Sequence, residues 1–244
     1  MSIKHPIISV TGSSGAGTST VKHTFQQIFR RESVEAATME GDAFHRYSRK
    51  EMKKELEKRS AAGEATFSHF SFDANLLPEL EACFRSYSEK GKCQYRHYVH
   101  NAKEEQLHSV KSGNFTEWKE FEASSDLLFY EGLHGAVVND EVNLARYADL
   151  KIGVVPVINL EWIQKIHRDR DSRGYSTEAV TDTILRRMHA YVHCICPQFT
   201  ETDINFQRVP VVDTSNPLVA RWIPTADESL VVIRFKDPHG IDFP

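Results

Sequence analysis

Short apolar runs alternate along the chain with segments whose apolar residues recur at helical spacing. Ile7 to Val10 is the first run; it leads to Gly12 and then to a helix-like segment, Thr18 to Arg31. Glu35 to Met39 is a second strand candidate. Ser48 to Ala62 is charged and rich in helix formers, and Gly63 stops it. Thr66 to Asn75 has no clear period and reads as a loop. Leu76 to Glu89 carries Leu77, Leu80, Cys83, Phe84 and Tyr87 at helical spacing and closes at Gly91. A short strand is expected over Gln94 to His100. Asn101 to Glu122 has few apolar anchors and reads as an insertion outside the core sheet.

The alternation continues in the second half. Leu127 to Tyr130 is a compact strand ending in Glu131-Gly132, and Asn143 to Tyr147 is helix-like. Asp149 to Ile158 is the next strand candidate, and a basic helix from Asn159 to Arg173 ends at Gly174. Ser176 caps a helix over Thr177 to Cys194, and Asn205 to Val212 and Leu230 to Phe235 are the last strands. Strands alternating with helices predict an α/β fold with a mostly parallel (mixed) sheet and helices on both faces. Ligands of such sheets bind at the carboxyl ends of the strands, a rule that groups Gly12–Ser19, Asp42 and Glu131 into one site.

Composition narrows the classes. A chain of 244 residues fits one α/β domain spanning 1–244. The formal net charge of −4 argues against a general nucleic-acid binder. Cys83, Cys93, Cys194 and Cys196 lack both disulfide-framework density and metal-ligand spacing. The longest apolar stretch, Ile152 to Ile158, is too short to span a bilayer and contains Pro156. The first residues, Met-Ser-Ile-Lys-His, enter a strand at once and leave no room for a signal peptide, so a cytoplasmic protein is expected, with neither membrane nor nucleic acid as partner.

Residues 7–20 hold the sharpest chemical signal. Strand, glycine-rich turn and helix follow one another, and Gly12-x-x-x-x-Gly17-x-Ser19 fits the phosphate-binding P-loop, which narrows the architecture to a P-loop NTPase-like sheet. Glycines let backbone N–H groups wrap around an anion, and the helix N-terminus adds its dipole. Gly12, Ser13, Ser14, Gly15, Ala16, Gly17, Thr18, Ser19 and Thr20 are the candidates for that cradle. A Gly/Ser-rich turn without a ligand is the plain alternative. Thr18 stands where the motif expects lysine, so another cation has to meet the phosphates.

Candidates for the remaining chemistry lie close to that frame. Ser19 and Glu131 offer hard oxygens suited to Mg²⁺; a carboxylate capping a turn is the plain alternative for Glu131. Asp42, just past the second strand, is placed to accept a proton from an attacking hydroxyl; an aspartate capping a turn is the alternative. His45, Arg49 and Lys53 recur every four residues and would share a helix face, either as a solvated basic surface or as a phosphate-binding stripe. His100, with Tyr98 and Arg96 near it, could add to the stripe. Lys165, Arg168, Asp169 and Arg173 sit at helical spacing before Gly174, as an exposed salt-bridged helix or as a lid whose cations replace the missing lysine.

The P-loop Gly-Ser-Ser-Gly-Ala-Gly-Thr-Ser, Glu-Gly-Asp-Ala-Phe-His-Arg at 40–46 and Tyr-Glu-Gly-Leu-His-Gly at 130–135 resemble the bacterial-type phosphoribulokinases. So do residues 154–169 and Asn-Phe-Gln-Arg-Val-Pro at 205–210, and the resemblance spans essentially the whole chain. It implies ATP- and Mg²⁺-dependent phosphorylation of ribulose 5-phosphate at O1 in carbon fixation, the Calvin cycle. By the same resemblance Asp42 is the base, with Lys165, Arg168 and Asp169 in the catalytic set. Ser19 and Glu131 serve the metal, while His45, Arg49, Lys53, Tyr98, His100, His134 and Arg173 bind the sugar phosphate. Arg31, Arg186, Arg187 and Arg234 resemble positions tied to allosteric control by an effector such as NADH. The family continues for some tens of residues past Pro244, and its assembly into a homo-oligomer depends on that segment.

Two rivals share parts of this pattern. A nucleoside kinase of the uridine kinase type has a similar Arg-Asp-x-x-x-Arg-Gly lid but normally keeps the P-loop lysine and has no need of a phosphate-directed stripe. A nucleotide-binding regulator without catalysis is the other.

Overall fold

The computed structural model describes residues 4–64, 66–121 and 125–239. In chain order its elements are β1 (Ile7–Gly12), α1 (Thr18–Arg31), β2 (Ala36–Glu40), α2 (Arg49–Ala61), α3 (Leu77–Lys90), β3 (Gln94–Tyr95), α4 (Ala102–His108), β4 (Lys119–Glu120), β5 (Leu127–Gly132), β6 (Leu150–Val154), α5 (Ile158–Arg173), α6 (Thr177–Ala190), β7 (Ile204–Pro210) and β8 (Ser229–Phe235).

The main sheet has the order β2-β5-β1-β6-β7-β8. All neighbours run parallel except β7 and β8, which form an antiparallel pair at one edge. β1, first in sequence, therefore lies inside the sheet between β5 and β6. Period-2 alternation divides the apolar residues between the faces. Leu128 and Tyr130 of β5 join Ile7, Met39, Leu80, Phe84 and Tyr87 against α3 on one side. Leu127 and Phe129 join Val10, Phe25, Phe29 and Ile152 against α1 on the other. An apolar run buried on both faces is what the parallel strands require, with helices covering both sides.

Local signals set the helix limits. Ser48 and Glu51 form a reciprocal capping box, so α2 starts at Arg49. Gly91 and Gly174, both at positive φ, end α3 and α5. Ser176 accepts from the Ala179 N–H and opens α6.

Several sequence expectations shorten. The strand expected over Asp149 to Ile158 runs only from Leu150 to Val154; Val155 and Val157 still donate to the carbonyls of Phe206 and Arg208, on either side of Pro156, before α5 begins at Ile158. The expected strand over Gln94 to His100 pairs only at Gln94–Tyr95, against Lys119–Glu120, in a two-stranded sheet separate from the main one. That small sheet and α4 account for the polar stretch set outside the core. Helix α6 stops at Ala190, where a wider π-type turn, Tyr191–Ile195, precedes the 3₁₀ turn opened by Pro197. On β8, Leu230, Val231, Val232 and Ile233 are all exposed.

Candidate active site at the carboxyl ends of the strands

The loop between β1 and α1 is shaped by Gly15 and Gly17, at φ 110° and 102°. An L side chain is strained at both, and at Gly15 a Cβ would also stand 3.0 Å from the Glu161 carbonyl oxygen and 3.1 Å from the Lys165 Cβ. Helix α5 is thus packed directly on the loop. The first turn of α1 contains no acidic residue, and Ser19 and Thr20 are exposed there. Its free N–H groups and the positive end of its dipole are open to an anion.

Helix α5 brings the cations that the loop lacks. Lys165 is only 6% exposed, and its Nζ donates to Asp169 Oδ2 at 2.5 Å. Arg168 donates through Nε to Asp169 Oδ1 at 3.0 Å and through Nη2 to Ser14 Oγ at 3.0 Å. One carboxylate thereby holds two cations, one of them hydrogen-bonded to the P-loop itself. Burial, reinforced by Arg187, pushes the Lys165 ammonium down to about 8 against the pull of Asp169. Desolvation opposes charge on Asp169, yet the bond from Lys165 holds its carboxyl below the usual range.

The ends of β2 and β5 carry the acids. Glu40 and Glu131 are register partners on these strands. Beyond them Gly41 and Gly132 approach so closely that a Cβ on Gly41 would lie 2.8 Å from the Gly132 Cα. Asp42 follows in a 3₁₀ turn, Gly41–Phe44. Burial raises the Glu131 carboxyl above its ordinary value; a bond from Thr18 and the charge of Lys22 oppose this, while Asp42 and Glu40 add to it. Glu40 is bound by His100 and by Lys22 and falls to about 2. Glu131, bonded by the Thr18 hydroxyl at the start of α1, offers a hard oxygen of the kind that suits a divalent cation such as Mg²⁺, although among the described residues no three acidic, histidine or cysteine side chains gather into a metal cluster.

Asp42 sits between two histidines. Its Oδ1 is 3.1 Å from His45 Nε2, and its Oδ2 is 3.8 Å from His100 Nε2. Desolvation works against the Asp42 charge, but His45 and then His100 and His69 outweigh it and hold the carboxyl well below the usual range. His45 is raised in turn: burial opposes its charge, and Asp42 and Asn75 favour it. The Tyr98 ring meets the His100 ring edge-on at 4.9 Å.

The helical stripe does not form as one face. The cap at Ser48 places His45 in extended backbone before α2, buried beside Asp42, so only Arg49 and Lys53 share a helix. Both are exposed, and Arg49 Nη2 donates to the His100 carbonyl at 3.0 Å. Arg96 is no part of a phosphate surface either. Its guanidinium lies 3.7 Å from the Phe115 ring centre and 4.7 Å from that of Trp118, and it donates to the carbonyls of Ala43 at 2.8 Å and His45 at 2.7 Å. His134 is buried, near Gln198, and burial first, then repulsion from His45, pushes it down to about 3, so it is neutral. The Arg173 side chain lies outside the described residues.

The four arginines linked to control stand on three elements. Arg31, at the far end of α1 from the P-loop, pairs with Glu32; Arg186 on α6 and Arg234 on β8 are exposed. Arg187 differs: it is half-buried, 5.2 Å from the Phe70 ring centre, and its charge depresses Lys165, His69 and His45. Residues that sequence reasoning passed over include Glu40, which the same end-of-strand rule could have found, and Glu161. The latter is a carboxyl beneath the P-loop that burial pushes up to about 7 despite Ser13 and Tyr191. Asn75 and His69 lay in the aperiodic loop.

Residues 7–215 match the model of the phosphoribulokinase / uridine kinase family. The chain is similar to phosphoribulokinase 1 of Cereibacter sphaeroides, with 74% identity over 244 residues, 100% of this chain and 84% of that protein. It is 69% identical over 241 residues to the phosphoribulokinase of Nitrobacter vulgaris, covering 99% of this chain and 83% of that one. Among solved structures, it superposes on the phosphoribulokinase from Rhodobacter spheroides with a TM-score of 0.88 at 72% identity, over 99% of this chain and 83% of the other.

Proposed function

The chain belongs to the phosphoribulokinase / uridine kinase family, and on that premise we propose that it transfers the γ-phosphoryl group of ATP to O1 of ribulose 5-phosphate, giving ribulose 1,5-bisphosphate. It is a kinase; the observation that carries the choice of acceptor is Asp42 set between His45 and His100. A carboxylate flanked by cations suits a substrate that brings both a hydroxyl to deprotonate and a phosphate to bind. A nucleoside acceptor would need no such cations.

The mechanism follows from the charges. The loop amides and the start of α1 hold the ATP phosphates, and Lys165 and Arg168 meet the charge spread over the transferring group. Asp42 is ionised at neutral pH but a weak base while His45 and His100 face it. Arrival of the anionic sugar phosphate at these histidines offsets their charge, which raises the basicity of Asp42 when the hydroxyl is in place. Asp42 then takes the O1 proton as the oxygen attacks phosphorus. Ser19 and Glu131 would hold Mg²⁺, which screens the phosphate oxygens when bound. Tyr98, Arg49, Lys53, His134 and Arg173 complete the acceptor side in this reading.

Its outer parts rest on the resemblance alone: NADH as an effector, a homo-oligomer and a cytoplasmic setting. Among the described residues no helix is long and apolar enough to cross a membrane.

The direct experiment is ADP release with Mg·ATP and, separately, ribulose 5-phosphate, ribose 5-phosphate and uridine. Turnover with ribulose 5-phosphate alone is expected. Preference for uridine would replace the sugar-phosphate reading with the nucleoside one.

A further inference from the structure

Asn75 has no part in the chemistry above, yet it is buried and bonded to the histidine that faces the base. It follows the 3₁₀ turn Phe72–Ala74 and forms an isolated antiparallel bridge with His45. Its Nδ2 donates to the His69 carbonyl at 2.9 Å and to the Ser71 carbonyl at 2.8 Å. Both amide hydrogens are thereby used, and the orientation of the side chain is set. The remaining atom, Oδ1, lies 2.8 Å from His45 Nδ1. An amide oxygen only accepts, so Nδ1 carries the hydrogen. Nε2 is then the ring atom left to face Asp42 Oδ1, at 3.1 Å.

We propose that Asn75 is a positioning residue for the phosphoryl transfer: by keeping a hydrogen on His45 Nδ1, it makes Nε2 the nitrogen that holds Asp42 and answers its charge. The inference rests on Asp42 as the base. While Asp42 is a carboxylate, Nε2–H donates to it. When Asp42 takes the substrate proton on Oδ2, Oδ1 still accepts from Nε2–H, so the ring keeps both its protons and serves the two states without rotating. Without the amide oxygen the ring is free to turn, and its neutral form is free to keep the hydrogen on Nε2 instead. The other groups facing the ring do not impose this choice. His69 lies 4.7 Å away ring to ring and Tyr98 6.2 Å away edge-on, while Arg187 of α6 disfavours the charged ring.

The test reads the ring directly. In the intact enzyme with ¹⁵N-labelled histidine, long-range proton–nitrogen spectra assigned through His45→Gln report which nitrogen of His45 is protonated. The expected record is a cation that titrates to the Nδ1–H form, with Nδ1 protonated throughout. An Nε2–H neutral form in the wild type would overturn the proposal, whatever any variant does. Asn75→Ala should titrate His45 at lower pH and lower kcat about tenfold, with the KM for ATP within about twofold. A variant that keeps the wild-type His45 titration would also overturn it. If the variant fails to fold, the wild-type spectrum alone decides. Failure to turn over ribulose 5-phosphate would sink the functional reading while leaving the tautomer measurement intact, so the two outcomes separate.

Discussion

Lys165 Nζ lies 2.5 Å from Asp169 Oδ2, and the other oxygen of that carboxylate holds Arg168. Removing Asp169 would leave Lys165 and Arg168 without their shared counter-ion, with the charge of Arg187 already acting against Lys165. Asp169→Asn should lower kcat by about 10²-fold or more, because the ammonium is no longer held over the P-loop or kept charged. In the wild type, kcat/KM for ATP should fall above about pH 8 as Lys165 loses its proton, and in the variant that limb should move to lower pH. Steady-state kinetics across pH 6–10 would check both; an unmoved limb would separate it from Lys165.

Asp42→Ala should cost about 10³-fold in kcat while ATP affinity is retained, since the carboxylate faces His45 and His100. Isothermal titration with a non-hydrolysed ATP analogue, beside the ADP-release assay, makes the comparison. Near-normal turnover would remove Asp42 as the base.

His45→Ala and Arg49→Ala should raise the KM for ribulose 5-phosphate by about tenfold, but only His45→Ala should also alter the acid limb of the pH profile. His45 touches Asp42, whereas exposed Arg49 is anchored to the His100 carbonyl. Equal pH profiles for the two variants would contradict this division.

Glu40 links the site to acid stability. Its carboxyl falls from 4.5 to about 2 in the folded chain, through bonds to His100 and Lys22 that outweigh burial. Its folded value is depressed, so its contribution is fully present above the unfolded value and is lost as pH falls through about 4.5 toward 2. Urea midpoints of Glu40→Gln should therefore match the wild type more nearly at pH 3 than at pH 6. The carboxylate is partly exposed, and 0.5 M NaCl should narrow the difference at pH 6.

Gly41→Ala should destabilise the fold by about 1–3 kcal/mol, since the new methyl would stand 2.5 Å from the Tyr130 hydroxyl and 2.8 Å from the Gly132 Cα. The shift that relieves this moves Asp42, the next residue, so kcat should fall as well. Thermal unfolding read beside turnover would show whether the two losses come together.

Much of this was legible in the chain because it is local. Every strand of the main sheet overlaps a segment expected to be a strand, and the missing P-loop lysine pointed to the cations now seen on α5. The basic stripe failed for an equally local reason: Ser48 and Glu51 spell a capping box, which outweighs a four-residue spacing that starts three residues too early. Asn75 and Arg96 could not be read in advance. Their bonds to residues 43–45 span 30 to 53 positions of sequence and depend on how the loops cross, which no periodicity encodes.

Arg96 carries a wider consequence. It directly follows β3 of the small sheet outside the main one, yet it is stacked against Phe115 and Trp118 and fastened to the carbonyls on either side of Phe44. What looks like ornament is therefore part of the smallest unit that could be transplanted. A chimaera that borrowed the sheet, the P-loop and the Asp42 turn but replaced residues 92–121 would inherit the base and His45, yet lose both His100 and the splint that keeps the Asp42 turn in line.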